Sequence, residues 1–254
     1  MSTRKRIGDL LLRTPEPARG LWFALYKASL HGMGYGAATL PMSSSGDEQA
    51  LGKGLERLGK GSRVIFDVGA HTGEFASRAL SAFGPQSRVW CFEPAHNAFE
   101  TLSQRLRTER ATLVQKAAGD APGAATLIGE GPTARLDKGP GGQEVEVIRL
   151  DTYAAEHGID RIDYLKLDAE GGDYAALVGT KRLLDASAIG CVQFEFGSLS
   201  ITAHTFLRDF YDLLGPRWDF FRLTSRAAVP LGTYRPELEV FVSETNYLAI
   251  RGRE

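Results

Sequence analysis

A chain of 254 residues holds one full α/β domain with a generous core, but not two independent ones. Its 30 Lys+Arg against 31 Asp+Glu leave a formal net charge of −1, so no overall field grips a polyanion and nucleic acid is set aside as a substrate. The two cysteines, Cys91 and Cys191, sit in apolar runs and read as reduced, buried thiols, which calls for no oxidising compartment.

The N-terminus pairs MSTRKR with IGDLLL, the charged and apolar parts of a secretory signal, but Arg13, Pro15, Glu16 and Pro17 cut the apolar stretch short. No window reaches the roughly 18 apolar residues of a spanning helix, so a cytoplasmic protein without stable membrane insertion is expected. Two short helical candidates follow, divided by the proline-bearing TPEPARG. The second carries Leu21, Trp22, Leu25, Tyr26 and Ser29 at near-helical spacing and reads as a helix packed on the domain or on a second subunit, which makes a homodimer an expectation. The polar MSSSGDEQ reads as a linker, separating an N-terminal helical extension and linker (1–49) from a catalytic domain (50–254).

Beyond residue 63, short β-branched or apolar runs alternate with helical patterns, the mark of a parallel sheet covered on both faces. Strands are predicted at 63–67, 88–93, 112–115, 164–168 and 190–196, with helices starting near Gly73, Ala95, Tyr153, Asp173 and Ala203. The third and fourth strands are too far apart for one helix to fill the gap. It contains ATLIG and EVEVIRLD around DKGPGGQ, which predicts an inserted hairpin and then a helix at LDTYAAEHG. WDFFRL and NYLAI are predicted to close the sheet as an antiparallel pair.

The chemistry concentrates where strands end. VIFDVGAHTGEFASRAL runs an apolar strand into Asp67, turns tightly through Gly69, Ala70, His71, Thr72 and Gly73, and starts a helix. Small residues there let the backbone approach a nucleoside, and the helix start offers free N–H groups. The dinucleotide fingerprint would need glycine at 71 and 74, where His71 and Glu74 stand, and no P-loop G-K-[ST] follows. Asp67 would repel a pyrophosphate, whereas it suits the ammonium of an amino-acid-bearing cofactor. CFEPAHNAFE puts Glu93 at the end of the second strand, positioned to accept ribose hydroxyls, with Pro94 opening the next helix. KAAGD sets Ala118, Gly119 and Asp120 beside an adenine, KLDAEGGDYAAL brings Asp168 and Glu170 to the same edge, and QFEFG adds Glu195.

In their combined order DVGAHTG, FEP, LDTY, YLKLDAEGGDYAAL, QFEF and NYLAI resemble the FkbM-type methyltransferases. The resemblance covers roughly residues 62–250. It departs from the family pattern at His71, where Asn is common, and at Gly172, where an acidic residue is common. It implies an α/β, Rossmann-like class I methyltransferase with a mostly parallel seven-stranded sheet, one antiparallel strand and helices on both faces. S-adenosylmethionine is the implied cofactor, and O-methylation of a sugar, polyketide or other small-molecule acceptor the implied reaction.

Methyl transfer is an in-line displacement, so the protein chiefly aligns the acceptor and excludes water, while a hydroxyl nucleophile must lose its proton. Asp168 is the first candidate for the base or orienting group, then Glu195 and His204. Asp168 also serves in the expected cofactor set, with Asp67, the 69–73 turn, Glu93, Pro94 and 118–120. No ligand spacing is diagnostic of a metal, and none is expected. The competing readings are an NAD(P)-dependent oxidoreductase, disfavoured by the failed glycine pattern, and a non-catalytic S-adenosylmethionine-binding protein.

Overall fold

The computed structural model describes residues 16–36, 38, 42–129, 135–137 and 141–252; the signal-like residues 1–12 lie outside these. Five parallel strands form the body of the main sheet: β1 (Val64–Val68), β2 (Arg88–Phe92), β3 (Ala111–Val114), β8 (Ile162–Leu167) and β9 (Ile189–Phe196). Between β3 and β8 come four further strands: β4 (Ala117–Ala118), β5 (Gly123–Ile128), β6 (Arg135–Asp137) and β7 (Gln143–Ile148). The chain closes with β10 (Trp218–Leu223), β11 (Ala228–Pro230) and β12 (Thr245–Arg251). The order across the main sheet is β3-β2-β1-β8-β9-β12-β10-β11. Among the first seven of these, β12 alone opposes its neighbours β9 and β10, as the sequence predicts. The eighth, β11, is a three-residue edge strand antiparallel to β10.

Alternation along each strand divides the core between two faces. Ile65, Cys91, Tyr164, Cys191 and Leu248 face α3 (Asp47–Leu58) and α4 (Glu74–Phe83). Phe66, Phe92, Leu165, Val192 and Phe194 face the opposite layer, built from α6 (Leu150–Glu156), α7 (Asp173–Val178) and α10 (Leu207–Leu214). Helix α4 shows why its sequence is helical: Phe75, Ala76, Ala79, Leu80 and Phe83 fall on one buried stripe. Helices α5 (His96–Arg105), α8 (Lys181–Asp185) and α9 (Ser198–Thr202) complete the crossovers.

The inserted hairpin is present as β5 and β7, antiparallel, and is larger than predicted. β6 pairs with β5, and β4 pairs with β7, making a separate four-stranded sheet. The helix predicted near Ala203 is instead the short α9 followed by α10, because the chain turns through His204 at φ +54°.

Two N-terminal expectations change. Helix α1 (Glu16–Gly32) begins inside the predicted breaker TPEPARG, since a proline in the first helical turn forfeits no intrahelical bond. It anchors through buried Leu30 and through Tyr35, on whose ring the Arg222 guanidinium sits at 4.0 Å, while Leu21, Trp22, Phe23, Leu25 and Tyr26 stay exposed. The stretch read as a polar linker is helical: α2 (Met42–Ser45) runs through Gly46 into α3, and Ser45 and Asp47 are buried. Among the described residues no helix is long and apolar enough to cross a membrane.

Candidate active site

After β1 the chain proceeds to β2 and β3 on one side, and only later to β8 and β9 on the other. The carboxyl ends of β1 and β8 therefore flank a topological switch point, where open α/β sheets leave a crevice. The crevice is tightly built. Gly69 and Ala70 both donate their N–H to the Phe92 carbonyl, at 2.9 and 3.1 Å, and Asp168 N–H donates to the Val68 carbonyl at 3.0 Å. Gly69 holds φ +77°, and a Cβ there would lie 1.8 Å from the Asp168 carbonyl oxygen. Glycine is required on both counts.

A cavity opens over this edge. Its β2 side is lined by Phe92, Glu93, Pro94, Ala117 and Ala118, its middle by Val68, Gly69 and His71, and its β8 side by Asp168, Ala169 and Glu170. Lys116 and the inserted sheet's Leu127 and Leu136 wall it from outside. Glu93 is fixed from beneath: Oε2 accepts His71 N–H at 2.8 Å and Oε1 accepts Ala95 N–H at 2.9 Å. Each oxygen keeps a further lone pair for a hydroxyl. Burial raises the Glu93 carboxyl above its ordinary range, against the lowering effect of those two amides.

Below the cavity, Asp67 and Lys166 are paired in register across β1 and β8. The Lys166 ammonium is buried and lies 2.6 Å from Asp168 Oδ2. Burial alone would lower its pKa, but Asp168, Asp67 and Asp47 outweigh that and raise it. Asp67 is fully buried, and among the described residues neither of its oxygens has a hydrogen-bond partner. Burial lifts it to about 7, with Lys166 opposing and Asp168, Asp47 and Glu93 adding.

The structure thus brings Gly69, His71, Glu93, Pro94, Ala118 and Asp168 to one cavity, with Asp67 beneath it. Other expected site residues stand back. Ala70 and Gly73 are buried in the turn, joined by the bond from Gly73 N–H to the Ala70 carbonyl at 2.7 Å, and Thr72 Oγ1 accepts a hydrogen bond from Arg105. Gly119 is packed against Val147 and Gly179, while the Asp120 side chain is exposed and its carbonyl accepts from Arg149. Glu195 is not among the residues that line the cavity; burial, then Asp168 and Asp173, raise its carboxyl well above the ordinary range. His204 is exposed after α9 and does not line the cavity. Sequence reasoning set Glu170 at this edge without giving it a cofactor or catalytic role, and did not assign Lys166 or Leu127 to the site. A lone lysine inside the apolar strand YLKL was the available signal for Lys166.

Comparison with known proteins decides the family: residues 67–217 match the methyltransferase FkbM domain. The chain belongs to this family. The FkbM match begins at Asp67, near the end of β1, takes in the cavity and the inserted sheet, and ends between α10 and β10. Among curated relatives, the 2-O-methyltransferase NoeI of Sinorhizobium fredii is 26% identical over 149 residues, covering 50% of this chain and 61% of that protein's length. Solved structures similar to this one include the methyltransferase FkbM of Methylobacillus flagellatus (18% identity, TM-score 0.46, 74% of this chain and 43% of that one). Another is the O-methyltransferase of Bacillus cereus in complex with SAH (11% identity, TM-score 0.47, 97% and 96%).

Proposed function

We propose that this FkbM-family methyltransferase takes its methyl group from S-adenosylmethionine and delivers it to a hydroxyl oxygen of a small-molecule acceptor such as a sugar or polyketide. The observation that carries the reading is the single cavity with Glu93 at one end, Asp168 and Glu170 at the other, and the glycine turn between them. A carboxylate with spare lone pairs suits ribose hydroxyls at the β2 end, and Phe92, Ala118, Leu127 and Leu136 give adenine an apolar berth. The orphaned Asp67 and the acidic β8 edge favour a cation above them. Those residues fit the cofactor.

S-adenosylmethionine supplies an electrophilic methyl carbon on a positively charged sulfur. The protein's share is alignment and exclusion of water. Gly69 lets the backbone close on the donor, Glu93 fixes the ribose, and Asp168, held by Lys166, orients the methionyl end. His71 extends the wall beside the ribose, and Glu170 at the β8 end of the cavity serves the acceptor. Oxygen as the receiving atom is supported by the family resemblance and by the name of the relative at 26% identity.

Incubation with methyl-labelled S-adenosylmethionine and a panel of glycosides and hydroxylated polyketides tests the proposal. Label should appear in a base-stable methyl ether. Label on nitrogen or carbon, or on no acceptor in the panel, would contradict it.

A further inference from the structure

At the β8 end of the cavity most carboxylates are already engaged. Asp168 Oδ2 takes the buried Lys166 ammonium at 2.6 Å. Asp173 gives one oxygen to Ala169 N–H at 3.2 Å and the other to Glu195 N–H at 3.0 Å. Glu244, in the segment before β12, takes the Leu199 amide at 3.2 Å and the Ser198 hydroxyl.

Glu170 is different. It lines the cavity, and among the described residues its carboxylate has no hydrogen-bond or ion-pair partner. Its backbone sits at φ +49°, in the left-handed region that a glutamate seldom adopts. The turn holding it there is closed on both sides: Gly172 N–H donates to the Ala169 carbonyl at 2.9 Å, and a Cβ on Gly171 would come within 3.0 Å of the Leu199 carbonyl. A strained, unpartnered carboxyl facing a cavity is an arrangement that function sustains.

We propose that Glu170 takes the proton of the acceptor hydroxyl, and that the positive charge of the methyl donor in the cavity prepares it by driving it to the carboxylate form. This rests on the function proposed above. Burial pushes the Glu170 carboxyl up to about 8; Asp168 just after β8, Asp173 on α7 and Glu244 before β12 add to the rise, and Lys166 on β8 opposes it. Glu195 on β9 is the remaining acid whose field couples to it. Near neutral pH Glu170 is therefore largely protonated while the cavity holds no cation. An opposite charge within about 6 Å favours the ionised form and expels that proton.

The step balances. As the acceptor oxygen bonds to the methyl carbon, the carbon–sulfur bonding pair stays on sulfur and the O–H proton passes to a Glu170 oxygen. The product sulfur is neutral, so a protonated Glu170 matches it. The proton leaves to solvent when the next cation arrives.

No acceptor is needed for the test. Calorimetric titrations of S-adenosylmethionine and S-adenosylhomocysteine near neutral pH, in buffers of different ionisation enthalpy, count the protons each ligand displaces. Wild type should release about half a proton more with the charged ligand than with the neutral one. Glu170→Gln should abolish that difference while binding S-adenosylhomocysteine within a few-fold of wild type, which also shows that it folds. Asp67→Asn and Glu195→Gln, which change the other strongly raised acids near the cavity, should each retain the difference. A difference that survives Glu170→Gln, that vanishes with Asp67→Asn or Glu195→Gln instead, or that is absent from wild type overturns the assignment. If wild type binds neither ligand, the donor itself is wrong and both proposals fall.

Discussion

Asp67 carries an energetic liability that becomes useful if a cation binds above it. Buried without a hydrogen-bond partner and raised to about 7, it holds its proton in the folded chain well after an unfolded aspartate has lost it. For an acid raised in the native state, stability is fully present below its unfolded value and is lost as pH rises through the folded one. Ligand-free wild type should therefore lose thermal stability between about pH 4 and pH 7 through this group. Asp67→Asn should remove that part of the decline, read as a Tm gain over wild type that is larger above neutrality than in acid. Equal Tm differences at both ends would count against this account. Gly69→Ala should fail differently, because its Cβ overlaps the Asp168 carbonyl at a positive φ. Its Tm should fall, and S-adenosylhomocysteine affinity should drop at least tenfold as the β1 and β8 ends separate. Glu93 and Asp168 were legible because they close strands at the ligand-binding edge. Lys166 was not, since one lysine in an apolar strand does not reveal which carboxylate answers it.

Short elements set the cavity's walls and hold its frame. LDTY, read from the sequence as part of a helix and of the family pattern, supplies buried Asp151 at the start of α6. Its carboxylate accepts Arg149 Nη2 at 2.8 Å and Arg182 N–H at 3.1 Å, joining α6 to the start of α8. Burial would raise this acid, but those partners outweigh burial and lower it, so its contribution is present at neutral pH and lost on acidification. Asp151→Ala should cost about 2–3 kcal/mol, a fall of several degrees in Tm that narrows in acid, with S-adenosylhomocysteine affinity little changed. The inserted sheet contributes to the cavity rather than to the frame, since Leu127 and Leu136 reach it from strands outside the main sheet. Leu127→Ala should weaken S-adenosylhomocysteine by about threefold to tenfold through lost apolar contact. The hairpin was legible from its alternation around glycines, but β4 and β6 were too short to carry a period. Asp47 was misread for a related reason. Polar MSSSGDEQ looks solvated, yet Asp47 accepts a hydrogen bond from the buried Gln193 side chain, which also takes the Tyr164 hydroxyl at 2.7 Å.

Across the whole molecule, one sheet turns separate acidic residues into a single edge. Period-two burial on both faces fixes which residues point into each layer, and the order β3-β2-β1-β8-β9 brings Glu93 and Asp168 to either side of Gly69. That much was legible, because parallel strands with helical crossovers leave few alternatives. Acceptor contacts were not, since the walls come from an insertion and from loops whose lengths follow no period. The central claim is that the cavity from Glu93 to Asp168 holds an adenosyl-methionyl donor. Its most direct test is calorimetric titration with S-adenosylhomocysteine beside NAD, on wild type and on Glu93→Ala. One site per chain should bind S-adenosylhomocysteine, weakened at least tenfold by Glu93→Ala, with no heat from NAD. Binding of NAD alone, or S-adenosylhomocysteine binding untouched by loss of Glu93, would contradict the account.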